Sequence, residues 1–246
     1  MAKTVLVIGA TGDVGSGIVR ALLGRGHDVI AAARHAGRLA ALVDGLAQPL
    51  RLQSLAGSVA TDSLAQDLLG DVRRHCGSID AVIISVNSRR EPAPLLSRTS
   101  ESLAALLHGD LIAHFTAARA FIPAISPGGV LLGIGGGSCD FILRGGVPQS
   151  AAQAALRMMY RGLAAELASN PVQVRELIIA SIVNGASTRD RADPEWVTDA
   201  EIGEQAAAIV ENPLAFPDPI WRIARRDGTG RPVFGAEPPV RIQGFS

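Results

Sequence analysis

Residues 5–17, Val-Leu-Val-Ile-Gly-Ala-Thr-Gly-Asp-Val-Gly-Ser-Gly, join an apolar run to three glycines at a spacing of three, Gly9, Gly12 and Gly15. Val5–Ile8 reads as a buried strand, and the residues from about 15 to 25 read as a helix. A Gly-x-x-Gly-x-x-Gly loop at such a junction lets the backbone turn tightly and brings its amides close to a pyrophosphate. It also presents the positive end of the helix to that anion. A glycine pattern alone is a weak signal, and its place at the first strand-to-helix junction is what makes it strong. Gly9, Thr11, Gly12, Asp13, Val14 and Gly15 are accordingly the expected lining of a dinucleotide phosphate site.

Outward from this loop, strand-like runs alternate with helical patterns. Val5–Ile8, Val29–Ala33, Leu50–Leu55, Ala81–Val86, Val130–Ile134 and Val174–Ile179 read as strands. Helices are expected near 15–25, 37–46, 62–76, 100–121 and 149–169, with a further helix near 199–211 and a last strand near 232–235. Short apolar strands separated by helices indicate a parallel sheet covered on both faces. The expectation is an α/β chain: one doubly wound Rossmann-type domain over 1–246, with helices on both faces of about seven strands. No internal repeat or linker divides the chain, and the proline-rich stretch 212–219 reads as a loop.

Composition narrows the function classes. The 246 residues carry formal net charge zero, with 48% hydrophobic and 19% charged residues, so no polyanionic partner is implied. Basic residues are scattered, which argues against nucleic-acid binding. No apolar run reaches the roughly 20 residues of a membrane span. The start Met-Ala-Lys-Thr-Val-Leu-Val-Ile-Gly reads as leading into a strand and not as a signal peptide. Cys76 and Cys139 have no partner at motif spacing, which fits reduced thiols and a cytoplasmic location.

The second strand ends Ala31-Ala32-Ala33-Arg34. A site for NAD wants a carboxylate there to hold the ribose hydroxyls, and Ala33 occupies that region. Arg34 offers instead a planar cation suited to a 2′-phosphate. NADP(H) is therefore the expected cofactor.

Residues 149–156, Gln-Ser-Ala-Ala-Gln-Ala-Ala-Leu, resemble the active-site helix of the short-chain dehydrogenase/reductase family. The resemblance covers roughly residues 4–184. In that family the helix reads Tyr-x-x-x-Lys; here Gln149 and Gln153 stand at the two positions, one turn apart on one face. A phenol transfers protons and a neighbouring ammonium lowers its pKa, whereas an amide only donates and accepts hydrogen bonds. The glycine spacing is similar to that of extended and atypical members. The segment from Ala32 to Leu39 looks like the NADP-preferring version, with Arg38 a second phosphate contact. By the same resemblance, Ser58 and Val59 follow strand three beside the adenine, and Ser85 and Val86 follow strand four. Asp110 stands at the family's helix asparagine, and the family's serine falls on Gly135 or Gly136, leaving Ser138 as a displaced hydroxyl. Asp110, Ser138, Gln149 and Gln153 are thus the candidates for the reaction end, with Gln153 also placed to bridge ribose hydroxyls.

Other residues have competing readings. Tyr160 lies two turns beyond Gln153, too far for the missing role, and reads as packing or a subunit contact. Asp110 and His114, one turn apart, form either an acid–base pair or a polar helix face; His108 and His114 share no face, so no metal is expected. Arg89, Arg90 and Glu91 read as a solvated loop or a clamp for an acidic substrate. Trp196 and Trp221 read as packing or as an apolar pocket wall. The resemblance also implies a homodimer or homotetramer through the helices near 100–121 and 149–169.

Three functions stay open: an atypical NADP(H)-dependent oxidoreductase acting on a small molecule without the usual catalytic tetrad; a redox-neutral lyase, isomerase or cyclase on the same scaffold; and a non-catalytic NADP(H)-binding sensor or regulatory protein.

Overall fold

In the computed structural model, which describes residues 1–88, 91–226 and 230–238, strand β1 (Thr4–Ile8) sends Val5 and Val7 to one face and Leu6 and Ile8 to the other. Strand β2 (Asp28–Ala33) repeats the alternation, with Val29 and Ala31 opposite Ile30 and Ala32. Each face is apolar because helices cover both, which is why these strands read as unbroken hydrophobic runs.

The chain continues through α1 (Asp13–Gly24), α2 (Ala36–Gly45), β3 (Leu52–Ala56), α3 (Asp62–His75) and β4 (Ile79–Ile84). After α4 (Ser100–Leu107) and α5 (Ala113–Phe121) come β5 (Ile125–Gly136), α6 (Val147–Glu166) and β6 (Gln173–Ala180). Two short strands, β7 (Val183–Asn184) and β8 (Val197–Thr198), pair apart from the main sheet, and α7 (Asp199–Glu211), β9 (Ile220–Arg226) and β10 (Pro232–Ala236) complete the fold. The sheet order is β10-β9-β6-β5-β4-β1-β2-β3. All neighbours in it run parallel except β9 and β10.

The sheet has eight strands, not about seven, because β9 falls where no strand is expected. Arg222, Arg225 and Arg226 break up its apolar run. Antiparallel β10 then covers the edge that β9 would expose. Residues 212–219 hold one 3₁₀ turn, Pro213–Ala215, and lead directly into β9.

One face of the sheet packs Leu68, Ala117, Phe121 and Leu156 of α3, α5 and α6; the other packs Ile18, Leu22, Ile202 and Val210 of α1 and α7. The expected helix over 100–121 is interrupted by a π-type turn at His108–Ile112, between α4 and α5. Such wide turns recur at functional sites, and this one carries Asp110 inward to 2% exposure. Thr61, Thr99 and Thr198 cap α3, α4 and α7 with their hydroxyls, the last in a full capping box with Glu201. Helix α1 has no such cap. Phe115 and Met158 are exposed apolar side chains on α5 and α6.

Candidate functional site

The first turn of α1 begins at Gly12, whose missing side chain leaves the leading amides of the helix without a side-chain acceptor. The loop before it is built by close approach. Gly9 has φ +86°, and a methyl group on it would overlap the carbonyl oxygen of Ser85. A side chain on Gly15 would overlap the carbonyl of Gly9, so Gly15 packs behind the loop and does not line the cleft. A methyl group on Gly12 would meet only the Gly9 carbonyl oxygen, in ordinary contact, and Gly12 lines both cavities that meet here. Val14 and Asp13 line the smaller one. The Asp13 carboxylate is turned to the chain after β7, accepting from the Ser187 amide at 3.0 Å and from the Ser187 hydroxyl. Only the backbone of Asp13 is left for the cleft.

The larger cavity, about 550 Å³, extends from the glycine loop over the carboxyl ends of β2 and β3. Gly9, Thr11, Arg34, Arg38, Ser58 and Val59 line it, together with Ser85 and Val86. Arg34 and Arg38 thus both line it, and among the described residues no carboxylate does. Sequence reasoning missed His35, which lies between them in the wall. His108 and Gly109, brought there by the π-type turn, also line this cavity.

The smaller cavity, about 340 Å³, shares Gly12, Ser85, Val86 and Asn87 with the larger one and runs to the ends of β5 and β6. Its far wall is Ile134, Gly135, Gly136, Gln153 and Ser181. Gln153 is 8% exposed. Its Oε1 accepts from the Gly136 amide at 2.6 Å, and its side chain lies beside the Asp110 carboxyl, whose charged form it favours. Asp110 also accepts from the Ser88 amide. Burial raises the Asp110 carboxyl above its ordinary range, against the pull of those hydrogen bonds. Gln153 therefore ties α6 to the end of β5, with Asp110 of the π-type turn beside it.

Gln149, one turn before Gln153, is 7% exposed, and neither Oε1 nor Nε2 has a hydrogen-bond partner. Ser138 sits in the turn Gly137–Cys139 and lines neither cavity, and neither do Gln149 and Asp110. Of the four residues expected at the reaction end, only Gln153 reaches the cleft wall. Arg89 and Arg90 lie outside the described residues.

His114 is fully buried behind this region. It does not pair with Asp110; its Nδ1 accepts from the Tyr160 hydroxyl at 3.0 Å and its Nε2 donates to the Val86 carbonyl at 3.1 Å. A carbonyl only accepts, so the proton sits on Nε2. Complete burial lowers the His114 pKa to about 4 and raises the Tyr160 phenol well above its ordinary value. Tyr160 fills the hollow beside Gly133, where a methyl group would overlap its ring. Trp221 stacks on Phe234 and meets Phe216 edge-on at the sheet edge, and lines neither cavity. Trp196 lines neither cavity either. Among the described residues no group of three or more His, Cys, Asp or Glu is placed to hold a metal, and no helix is long and apolar enough to cross a membrane.

Sequence reasoning also missed Glu176. It lies on β6, on the face that α6 covers, and is 1% exposed with neither carboxyl oxygen hydrogen-bonded. Its Oε1 fills the space a Gly135 side chain would need. Burial, reinforced by Glu237 and opposed by Arg157, Arg161 and Arg222, pushes its pKa up to about 8. Leaving an unpaired carboxylate buried costs several kcal/mol, as much as burying two large aliphatic side chains returns, so the neutral acid prevails at pH 7. The available signal was a lone acid inside the run Val174–Ala180, opposite a strand whose glycines alternate.

Comparison with known proteins places this architecture. The chain has the fold of a short-chain dehydrogenase/reductase from Serratia marcescens, at 17% identity and TM-score 0.76, with 85% of this chain and 90% of that one covered. An oxidoreductase of the same family from Burkholderia thailandensis gives 23% identity and TM-score 0.74, covering 87% of each chain. A short chain oxidoreductase from Pseudomonas aeruginosa described as containing an atypical catalytic center gives 20% identity and TM-score 0.77, covering 87% of this chain and 91% of that one. At these identities the likeness is one of fold. A search of curated proteins found no match. The short chain dehydrogenase family profile matches residues 3–195, most of the sequence. On that match the chain belongs to the short-chain dehydrogenase/reductase family, whose members bind nicotinamide dinucleotides.

Proposed function

We propose that this chain is an atypical NADP(H)-dependent oxidoreductase that binds its cofactor along the joined cavities and transfers hydride without the usual tyrosine and lysine. One observation carries the reading: the uncapped first turn of α1 opens into the larger cavity, lined by Arg34 and Arg38 and, among the described residues, by no carboxylate. That arrangement fits a pyrophosphate at the glycine loop and a 2′-phosphate at the arginines. The nicotinamide supplies hydride when it is bound at the smaller cavity. Backbone amides of Gly12, Asp13 and Val14 would face the pyrophosphate, and Ser85 and Val86 would line the middle of the cleft.

What the protein's own groups do at the reaction end is limited. Gln153, the one of the four at the cleft wall, offers only an amide, and neither it nor Gln149 behind it can complete a proton transfer. Positioned acid catalysis is worth roughly 10²–10⁴-fold, and its loss disfavours ordinary ketone–alcohol interconversion. Acceptors already activated, such as a conjugated alkene or an iminium, need that help least. Binding without turnover is a second reading, favoured by Gln153 being held by the Gly136 amide.

The test is NADPH oxidation, followed by nicotinamide absorbance, with activated acceptors and with simple ketones. Turnover confined to activated acceptors is expected. Gln149→Tyr with Gln153→Lys should then add ketone reduction by about 10²-fold over the parent. NADPH bound but never oxidised, by parent or double variant, would leave the binding-only reading.

A further inference from the structure

Glu176 has no role in the hydride chemistry described above, yet it lies against the same wall. Gly135 lines the smaller cavity on one side and meets Oε1 of Glu176 on the other. Only a glycine's backbone separates the carboxyl from the cavity. The other groups around it are accounted for. Gly133 and Gly135 of β5 bring no charge, and α6 brings Tyr160, Arg157 and Arg161. Strand β9 brings Arg222, and Glu237 follows β10. The three arginines are engaged elsewhere. Arg157 bonds Asp140 at 2.6 Å, Arg161 bonds Glu237 at 3.0 Å, and Arg222 bonds both acids. None of them bonds Glu176, whose two oxygens stay unpartnered.

A buried acid whose neighbouring cations are all paired with other acids responds to whatever further charge arrives beside it. The two redox forms of a nicotinamide ring differ by one charge: the oxidised ring is a cation and the reduced ring is neutral. We propose that the carboxyl of Glu176, behind Gly135, couples a proton to the oxidation state of the cofactor, holding its proton beside the reduced ring and releasing it to solvent beside the oxidised ring. The balance is simple: the O–H bond of the acid breaks, the proton leaves, and the carboxylate remains to face the ring cation. By linkage, the oxidised cofactor then binds more tightly as pH rises towards the ionisation of Glu176 in the free protein, while the reduced form does not. The inference rests on the reading of the cleft as a NADP(H) site.

Calorimetric titrations of the whole protein with NADP⁺ and with NADPH, each in two buffers of different ionisation enthalpy, test it directly. The difference between the nucleotides cancels the titration of their shared 2′-phosphate. NADP⁺ should release a larger fraction of a proton than NADPH at pH 7. Its affinity relative to NADPH should rise by up to about tenfold between pH 7 and pH 8, the limit for one linked proton. In Glu176→Gln, which keeps the shape and cannot ionise, both differences should vanish while both nucleotides still bind. Equal proton release in the parent, or the same difference surviving in Glu176→Gln, overturns the proposal and leaves the cofactor site standing. No binding of either nucleotide overturns both.

Discussion

The glycine loop after β1 and the helix face of α6 sit across one cleft, and they build it from different kinds of group. At the loop, the features that matter are backbone features: a positive φ at Gly9, the contact of Gly15 with Gly9, and an uncapped helix start. At α6, the features that mattered to the family's chemistry are side-chain features, and amides stand in both places. A backbone cradle tolerates changes in the side chains around it, whereas proton transfer is lost with a single residue type. Under the proposed function, this contrast is what lets a cofactor site stand beside a reaction end without the usual tyrosine and lysine. On the α6 side Gln153 holds the Gly136 amide, Tyr160 fills the hollow at Gly133, and Glu176 fills the one at Gly135.

The largest expected effect is at the loop. In Gly15→Val the added carbons collide with the carbonyl of Gly9 and crowd Ala10 Cα at 3.0 Å. Overpacking against backbone costs about 3 kcal/mol or more. Chemical denaturation should show that loss, and nucleotide binding should disappear with it. Near-parental stability with retained binding would break the claim that the backbone cradle is the sensitive half.

Next in size is the reaction end. The Glu176 carboxyl ionises at about 8 in the folded chain against an ordinary 4.5. A raised acid contributes its stability fully below the ordinary value and loses it as pH climbs through about 8. At about 1.4 kcal/mol per pH unit, Glu176→Gln should gain a few kcal/mol over the parent at pH 9 and little at pH 5. Melting temperatures across that range decide it. A constant offset would mean that Glu176 finds a partner in solution.

Much of this contrast is legible in the amino-acid sequence. The loop and first strand read correctly because three spaced glycines after an apolar run allow few alternatives. Strand β9 does not, because its arginines mask a run that is only half covered. The π-type turn at His108–Ile112 does not either, since a single glycine, Gly109, is the one interruption in an otherwise continuous helical pattern over 100–121. Glu176, Gly133 and Gly135 become meaningful only once the register of β5 on β6 puts Gly133 opposite Glu176. Ser138 reads plausibly as a substitute hydroxyl until its turn carries it off the cavity wall.

The most direct measurement of the central claim is a calorimetric titration of nucleotide-free protein with NADPH and with NADH, repeated on Arg34→Ala. Arg34 lines the cavity end away from α6, so its loss tests the cleft without disturbing the α6 side. The account predicts tighter binding of NADPH by the parent. It predicts a weakening of about 10–100-fold for NADPH in the variant, as one charge-assisted contact of about 1.5–3 kcal/mol is lost, and no change for NADH. Equal affinity for the two nucleotides, or no heat with either, would contradict it.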